Sequence, residues 1–253
     1  MRAVIAALAA VSILAVTACG DDEAGGSPST PDLRVSAAAS LKDAFTRYGD
    51  AFQAAHTQFS FAGSDELAAQ IRAGAKPDVF AAANAKLPDA LYADGLVDKP
   101  VAFARNRLVL AVPADGAKVR SLDDLVRDGV TIAMGAPSVP VGSYTRKVLG
   151  GLPAAERRAI LANVRSNEPD VSGVVGKVAQ GAADAGFVYV TDVKAAGGRL
   201  RAIELPASLS PEVVYEAAVV KGTDHPHQAR AFLKGLLSGA GRDALAQAGF
   251  RRP

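Results

Sequence analysis

The sequence predicts an α/β fold in which strands alternate with helices and are shared between two lobes. Short apolar or alternating runs recur along the chain, and most are followed by an amphipathic stretch that begins near a small polar residue. Strands that alternate with helices in this way form parallel sheets with the helices as crossovers. With 253 residues and 49% hydrophobic content, the chain can bury one large core or two modest ones.

The first strand and helix lie in residues 33–45. Leu33, Val35 and Ala37 alternate with polar residues as in a strand, and Ser40 stands before an amphipathic run, at the position of an N-cap. Its hydroxyl and the free N–H groups of the first helical turn would point out from the sheet edge together. They could bind an anion there without a charged side chain. The alternative is that Ser40 only caps its helix.

Two more strand-to-helix corners follow. Residues 56–62 predict a strand, and Ser64 is expected to cap a helix over 65–73; residues 78–82 predict a third strand, with a helix over 86–94. In parallel sheets, ligands bind beyond the carboxyl ends of the strands. The three corners are therefore expected to converge on one edge.

A strand over 107–113 and the break at 114–116 predict a crossing into a second lobe. The elements predicted beyond it are helices at 121–127, 140–149, 153–161, 171–180 and 191–195, with Asp170 as one N-cap, and strands at 130–134, 163–166, 185–190, 200–205 and 213–220. Helices at 225–237 and 241–248 end the chain and are expected to return to the first lobe. The predicted division is 33–112 with 213–253 in lobe 1, and 113–212 in lobe 2.

The first eighteen residues predict an export signal. A short positive start and an apolar run lead to Val16-Thr17-Ala18-Cys19, which resembles the bacterial lipobox and implies acylation of Cys19. Residues 19–32 are rich in Gly, Ser, Pro and acidic groups and predict a flexible tether. We therefore expect a cell-envelope protein that contacts the membrane through its lipid anchor only, outside the cytoplasm.

Motifs for catalysis are missing from the sequence. It contains no G-x-S-x-G elbow, no Walker A loop and no G-x-G-x-x-G. Its histidines are His56, His225 and His227, and His225-x-His227 without further Cys or carboxylate spacing is only a weak metal signal. A net charge of +2 and the lack of Trp argue against nucleic acid. Binding without a catalytic residue, metal ligand or cofactor is the default interpretation. An exported enzyme with Ser40 or Ser64 as nucleophile is the alternative.

Five motifs carry a resemblance to a known family. They are AAASL at Ala37–Leu41, FAGS at Phe61–Ser64, GAKPDVFAAA at Gly74–Ala83, VPVGSY at Val139–Tyr144 and GFVY at Gly186–Tyr189. Together, and in this order, they resemble the periplasmic molybdate-binding proteins of ABC importers, over residues 33–250. Two features depart from the family pattern: Asp65 and Glu66 follow the second serine, and Val141 stands where alanine is more usual.

The resemblance implies a type II periplasmic binding protein, with a mostly parallel sheet in each lobe and an oxyanion in the interlobe cleft. The ligand residues that it implies are Ser40, Ser64, Ala83, Val171 and Tyr189. It implies a monomer that captures molybdate, and tungstate with it, for an importer permease. The residues alone favour Tyr189 as a core tyrosine, and Ala83 and Val171 as core packing. A binding protein for sulfate or another small anion, or a sensor or adhesion lipoprotein without a transporter, is the alternative on the same fold.

Overall fold

The computed structural model describes residues 30–253. The predicted signal peptide (1–18), the lipidation site Cys19 and most of the predicted tether (19–32) lie outside this range. Within the described range, no helix is long and apolar enough to cross a membrane. The structure confirms the predicted α/β class, with two five-stranded sheets flanked by helices.

The elements have the following bounds. The strands are β1 (Asp32–Ala38), β2 (His56–Ala62), β3 (Val79–Ala82), β4 (Val101–Asn106), β5 (Leu108–Pro113), β6 (Ile132–Gly135), β7 (Val164–Glu168), β8 (Ala185–Tyr189), β9 (Leu200–Glu204) and β10 (Val213–Val219). The α-helices are α1 (Lys42–Ala51), α2 (Ser64–Arg72), α3 (Lys86–Ala93), α4 (Pro140–Gly150), α5 (Ala154–Ala162), α6 (Val171–Ala179), α7 (Val190–Ala195), α8 (Pro226–Leu237) and α9 (Ala240–Ala248). Short 3₁₀ helices occupy Ala39–Leu41, Asp123–Val126 and Ala207–Leu209.

The two sheets share one topology. The strand order is β2-β1-β3-β10-β4 in the first sheet and β7-β6-β8-β5-β9 in the second. In each sheet the first three strands are parallel, and the fourth runs antiparallel to both of its neighbours. Four strands of each sheet therefore point the same way, as expected for mostly parallel lobes, although the pairing is mixed.

The chain crosses between the sheets earlier than the sequence suggested. The strand β5 pairs with β8 and β9, so it belongs to the second sheet. The expected assignment of residues 107–112 to lobe 1 is therefore wrong, and the crossing lies between Asn106 and Leu108. An apolar strand pattern does not reveal which sheet the strand joins, and β4, which precedes the crossing, was not predicted at all.

The last two helices return to the first sheet, as predicted. α8 packs on β10, and α9 packs on α1. The rings of Phe45 on α1 and Phe232 on α8 meet edge to face, with their centroids 5.6 Å apart. This aromatic contact joins sequence-distant helices over one core and holds the end of the chain against lobe 1.

Two carboxylates hold equivalent places in the two sheets. Asp78 immediately precedes β3 and its Oδ2 accepts the N–H of Arg34 in β1 at 2.6 Å. Asp184 immediately precedes β8, and its Oδ2 accepts the N–H of Thr131, just before β6, at 2.8 Å. Both bonds tie neighbouring parallel strands at their amino ends, so the carboxyl ends remain free to form a site.

Candidate functional site

A small cavity of about 20 Å³ lies where the carboxyl ends of the two sheets face each other. Lobe 1 lines it with Ala38, Ala39, Ser40, Ala62, Gly63, Ser64 and Ala83, and lobe 2 with Val139, Pro140, Val141, Asp170, Val171 and Tyr189. All five predicted site residues thus meet at one place. Their roles as ligands stay a prediction.

Helices from both lobes begin at this cavity. The 3₁₀ turn that leads into α1, and the first residues of α2, α4 and α6, all contribute lining residues. The first N–H groups of a helix have no carbonyl of a preceding turn to bond, and the helix dipole is positive at this end. Several helix N-termini aimed at one small cavity favour an anion.

Val171 and Val141 place main-chain donors at the lobe 2 side of the cavity. Val171 is the first residue of α6, and Val141 is the second residue of α4, after Pro140. Sequence reasoning missed Val141 as a donor. The signal was available, because a proline often marks the first position of a helix, and the N–H of the next residue then lies in the first turn, where it has no intrahelical partner.

Ser64 does not cap its helix, contrary to the sequence prediction. Gly63 occupies the N-cap, Ser64 is the first helical residue, and its Oγ accepts the N–H of Ala83 at 3.1 Å. This contact disagrees with Ala83 as a direct ligand, because its N–H points at Ser64. Ala83 immediately follows β3 in the chain and lies beside the start of α2 in space. This contact between distant residues could not be predicted from the sequence.

Ser40 is likewise not an N-cap. It lies inside the 3₁₀ helix Ala39–Leu41, whose N-cap is Ala38, and its side chain caps neither that turn nor α1. The Oγ atom of Ser40 instead lies 2.9 Å from the Oη of Tyr215 on β10. The 3₁₀ turn Ala39–Leu41 places the serine away from the capping position and beside β10, the reversed strand of the sheet.

Tyr189 carries the most direct sign of a ligand. The residue is 1% exposed and lines the cavity, and no protein atom hydrogen bonds to its Oη. Burial raises the pKa of Tyr189 well above its ordinary value, so the hydroxyl keeps its proton. An unpartnered buried hydroxyl costs about 1–3 kcal/mol, and an acceptor in the cavity would remove that cost.

The lining contains one charged side chain, and it is acidic. Asp170 caps α6 as predicted, because its Oδ1 accepts the N–H of Gly173 at 2.9 Å. Neither Lys nor Arg lines the cavity. An anion held here would therefore be bound by neutral hydrogen-bond donors and helix dipoles.

The arrangement offers no activated nucleophile. The hydrogen-bond partners of Ser40 and Ser64 are Tyr215 and Ala83, and neither serine is paired with a histidine. His225 bonds Asp78, at the opposite end of β3 from Ala83. Across residues 30–253, no group of three His, Cys, Asp or Glu side chains could hold a metal ion. The geometry can bind a ligand, and it lacks the base that a serine enzyme needs.

The two lobes touch across the cleft at Gly63. A Cβ atom built on Gly63 would lie 2.5 Å from the carbonyl oxygen of Pro169 and 3.4 Å from Cγ1 of Val139, both in lobe 2. The same point is 2.9 Å from Oδ1 of Asp65, an oxygen that is buried without a partner. Only glycine allows this closeness, so Gly63 sets how tightly the lobes close.

The buried carboxyl of Asp192 lies next to the main chain of Tyr189. Asp192 is 9% exposed, and its Oδ2 accepts the N–H of Tyr189 at 2.8 Å. Burial raises the pKa of Asp192 from its ordinary 3.8 to about 7, and the nearby charge of Asp170 adds to the rise, while the Tyr189 N–H opposes it. The strand end that presents Tyr189 is therefore anchored by a carboxyl that titrates near neutral pH.

The fold and the site together define the class of two-lobed binding proteins, with a small cavity between the lobes that suits an anion. Comparison with known proteins agrees with this class. The chain belongs to the family of bacterial extracellular solute-binding proteins, whose sequence model matches residues 33–251. The members of this family bind solutes for transport and are not enzymes.

Individual relatives extend the comparison. The chain is 37% identical over 257 residues to the molybdate-binding protein ModA of Mycobacterium tuberculosis, covering 97% of this chain and 96% of that protein. It also resembles the substrate-binding domain of a putative molybdenum ABC transporter from Clostridium difficile, with 29% identity, a TM-score of 0.66 and coverage of 88% and 99%. The periplasmic molybdate-binding protein of Azotobacter vinelandii, at 23% identity, has the same fold, with a TM-score of 0.78 and coverage of 87% and 99%.

The contact at Gly63 yields a prediction about closure. The φ of Gly63 is −60°, which alanine adopts without backbone strain, so the effect of Gly63→Ala on the melting temperature should come only from the contacts of the new methyl group with Pro169 and Asp65. The added methyl group would collide with Pro169 when the lobes close, and we expect ligand affinity to fall at least about tenfold. Calorimetric titration and thermal melting measure the two effects. Unchanged affinity would show that the lobes close without this contact.

Asp192 yields a prediction about pH. Between about pH 4 and 7 the folded protein keeps a proton on Asp192 that the unfolded chain has lost, so this group's contribution to stability falls as pH rises through that window. Asp192→Asn keeps an oxygen acceptor for Tyr189 and removes the titration. The unfolding free energy of the variant minus that of the wild type should therefore grow by about 2 to 3 kcal/mol from pH 5 to pH 8. Urea denaturation at several pH values measures this difference, and parallel curves would contradict it.

Proposed function

We propose that this protein captures molybdate outside the cytoplasm and delivers it to an ABC importer. The observation that carries the proposal is a small cavity between the lobes, lined by residues with neutral donors from both, among them Tyr189 with its unpartnered hydroxyl. The relative from Mycobacterium tuberculosis is named a molybdate-binding protein, and its similarity spans nearly the whole chain. Tungstate, a dianion of the same shape and charge, is the second expected ligand.

The proposed ligands supply hydrogen bonds and no charge. They are the hydroxyl groups of Ser40, Ser64 and Tyr189 and the main-chain N–H groups of Val141 and Val171. An oxyanion in the cavity loses its hydration, so it must regain hydrogen bonds from donors already fixed in place. Ala83 contributes indirectly, because its N–H holds the Ser64 hydroxyl.

The donors are divided between the lobes, and this division links binding to closure. Ser40 and Ser64 belong to lobe 1, whereas Val141, Val171 and Tyr189 belong to lobe 2. An anion bonded to both sets stabilises the closed arrangement over any arrangement in which the lobes are apart. A partner permease could distinguish loaded from empty protein by this difference.

The proposed setting is the outer face of the cytoplasmic membrane. Residues 1–18 would direct export, Cys19 would carry the lipid, and residues 19–32 would tether the body to it. The body itself would consist of lobe 1, formed by residues 30–106 and 213–253, and lobe 2, formed by residues 108–212. A monomer with one cleft suffices for this role, and its protein partner would be the importer permease.

A panel of oxyanions tests the proposed substrate. Molybdate, tungstate, sulfate and phosphate are each added to the purified protein, and the melting temperature is recorded. A ligand at a thousand times its dissociation constant adds about 4 kcal/mol of stability, which corresponds to a rise of about 10 °C for a protein of this size. We expect this rise with molybdate and tungstate only. A rise with sulfate alone would replace the substrate, and no rise with any anion would overturn oxyanion binding.

A matched pair of tyrosine variants tests the site. Tyr189→Phe removes a hydroxyl that has no protein partner, so the ligand-free protein should be as stable as the wild type, while molybdate affinity falls about 10- to 100-fold. Tyr48→Phe is the control, because the buried Tyr48 Oη donates to the carbonyl of Phe232 at 3.0 Å, away from the cavity. It should lower the melting temperature and leave affinity unchanged. The reverse pattern would place the binding site elsewhere.

A further inference from the structure

A chain of buried hydrogen bonds connects the crossing between the lobes to Ser40. Tyr215 on β10 is completely buried, and its Oη lies 2.9 Å from Ser40 Oγ and 3.4 Å from Nδ2 of Asn106. Asn106 is the last residue of β4, where the chain leaves lobe 1, and is 5% exposed. These contacts do not belong to the ligand set, and they bear on how that set is oriented.

The direction of each bond follows from the donor and acceptor chemistry of the three groups. The Oδ1 of Asn106 accepts the N–H of Arg107 at 2.9 Å, which fixes the amide so that Nδ2 faces Tyr215. An amide nitrogen only donates, so the Oη of Tyr215 is the acceptor in that contact. Either hydroxyl can donate in the contact between Tyr215 and Ser40; the arrangement in which the phenolic proton goes to Ser40 is the one that gives the buried phenol an acceptor for its proton as well as a donor.

In this arrangement the oxygen of Ser40 accepts, and the proton of Ser40 is left over. With Oγ engaged by Tyr215, the remaining serine proton can be donated only away from Tyr215, and Ser40 lines the cavity. Burial raises the pKa of Tyr215 well above its ordinary value, so the phenol remains a donor throughout the physiological range.

The same amide also reaches the other lobe. Asn106 Nδ2 donates to Oγ1 of Thr191 in α7 at 2.9 Å, and α7 directly follows β8 and Tyr189. The Nδ2 atom of Asn106 therefore contacts both lobes. In lobe 1 it contacts Tyr215, the partner of Ser40, and in lobe 2 it contacts α7, the helix that follows Tyr189. The relay lies at the junction about which the lobes would move.

We infer that Tyr215 and Asn106 are positioning residues, which use the relay Asn106→Tyr215→Ser40 to direct the serine proton toward the bound oxyanion. The inference rests on the proposed function, because it assumes that Ser40 donates to an oxyanion. Tyr215 and Asn106 do not contact the anion and act only through Ser40.

A double-mutant cycle tests the relay. Molybdate affinity is measured by calorimetric titration for the wild type, Tyr215→Phe, Ser40→Ala and the double variant. Tyr215→Phe keeps the ring and its packing, and should lower affinity about tenfold because the serine proton is no longer directed. In the Ser40→Ala background the same change should alter affinity less than about twofold, because no hydroxyl remains to be oriented. A purely structural role of Tyr215 would give the same loss in both backgrounds.

Two controls sharpen the cycle. In the Ser64→Ala background, Tyr215→Phe should keep its full effect, because Ser64 is held by Ala83 and not by Tyr215. Tyr48→Phe, another buried tyrosine that loses its hydroxyl, should leave affinity unchanged in every background. If Tyr215→Phe does not fold, Asn106→Ala replaces it in the same cycle and should lose most of its effect on affinity once Ser40 is alanine.

The outcomes separate the relay from the proposed function. If the wild type binds molybdate and Tyr215→Phe binds it equally well, or if Ser40→Ala has no effect, the relay is overturned and the proposed function stands. If the wild type binds sulfate in place of molybdate, the proposed substrate is wrong, and the cycle is measured with sulfate. If no oxyanion of the panel binds, both are overturned.

Discussion

An anion that moves from water into a protein cavity loses its hydration, so the cavity must already contain hydrogen-bond donors. The arrangement of strands and helices in this protein meets that requirement. Isolated buried charge is very costly, and the lining contains no lysine or arginine to offset it. Parallel strands followed by helices solve the problem, because their carboxyl ends place several helix N-termini at one edge. Two such edges face each other here, and the cavity lies between them.

The repeated topology explains why the two edges can face each other. Each sheet is tied at the amino ends of its parallel strands by an aspartate that precedes the third strand, Asp78 in one and Asp184 in the other. The reversed strand of each sheet, β10 and β5, is the one that follows a crossing from the other lobe. The amino ends of the parallel strands are tied by these aspartates, and the chain crosses between the lobes next to a reversed strand. The lobes therefore meet at the carboxyl edges of their sheets.

The sequence predicted well what depends on local patterns. The alternation of strands and helices follows from apolar periodicity, and Asp170 was identified as an N-cap because its partner Gly173 is three residues away. Partners distant in sequence were not predictable in the same way. Ser40 bonds Tyr215, 175 residues later, so its capping role was wrong. The sheet joined by β5 also depends on distant strands, which its own apolar residues do not specify.

The same difference between local and distant information holds for the predicted site residues. The resemblance brought Ser40, Ser64, Ala83, Val171 and Tyr189 together, and the structure places all five at the cavity. It could not tell which atoms face inward, since the N–H of Ala83 is directed at Ser64 and the helix start adds Val141. Residue type indicates that a group can donate, whereas the fold determines where its proton points.

The direction of the hydrogen bonds, more than their number, makes this an anion site. Ser64 accepts from Ala83, and in the inferred relay Ser40 accepts from Tyr215, so each hydroxyl would have its oxygen engaged and its proton left for another acceptor. Asp170, the one acidic group in the lining, has an oxygen engaged by its own helix. A cavity lined by such groups presents hydrogen-bond donors to a bound ligand. It needs no cation to hold an oxyanion, and a cation placed there would meet the positive ends of the helices.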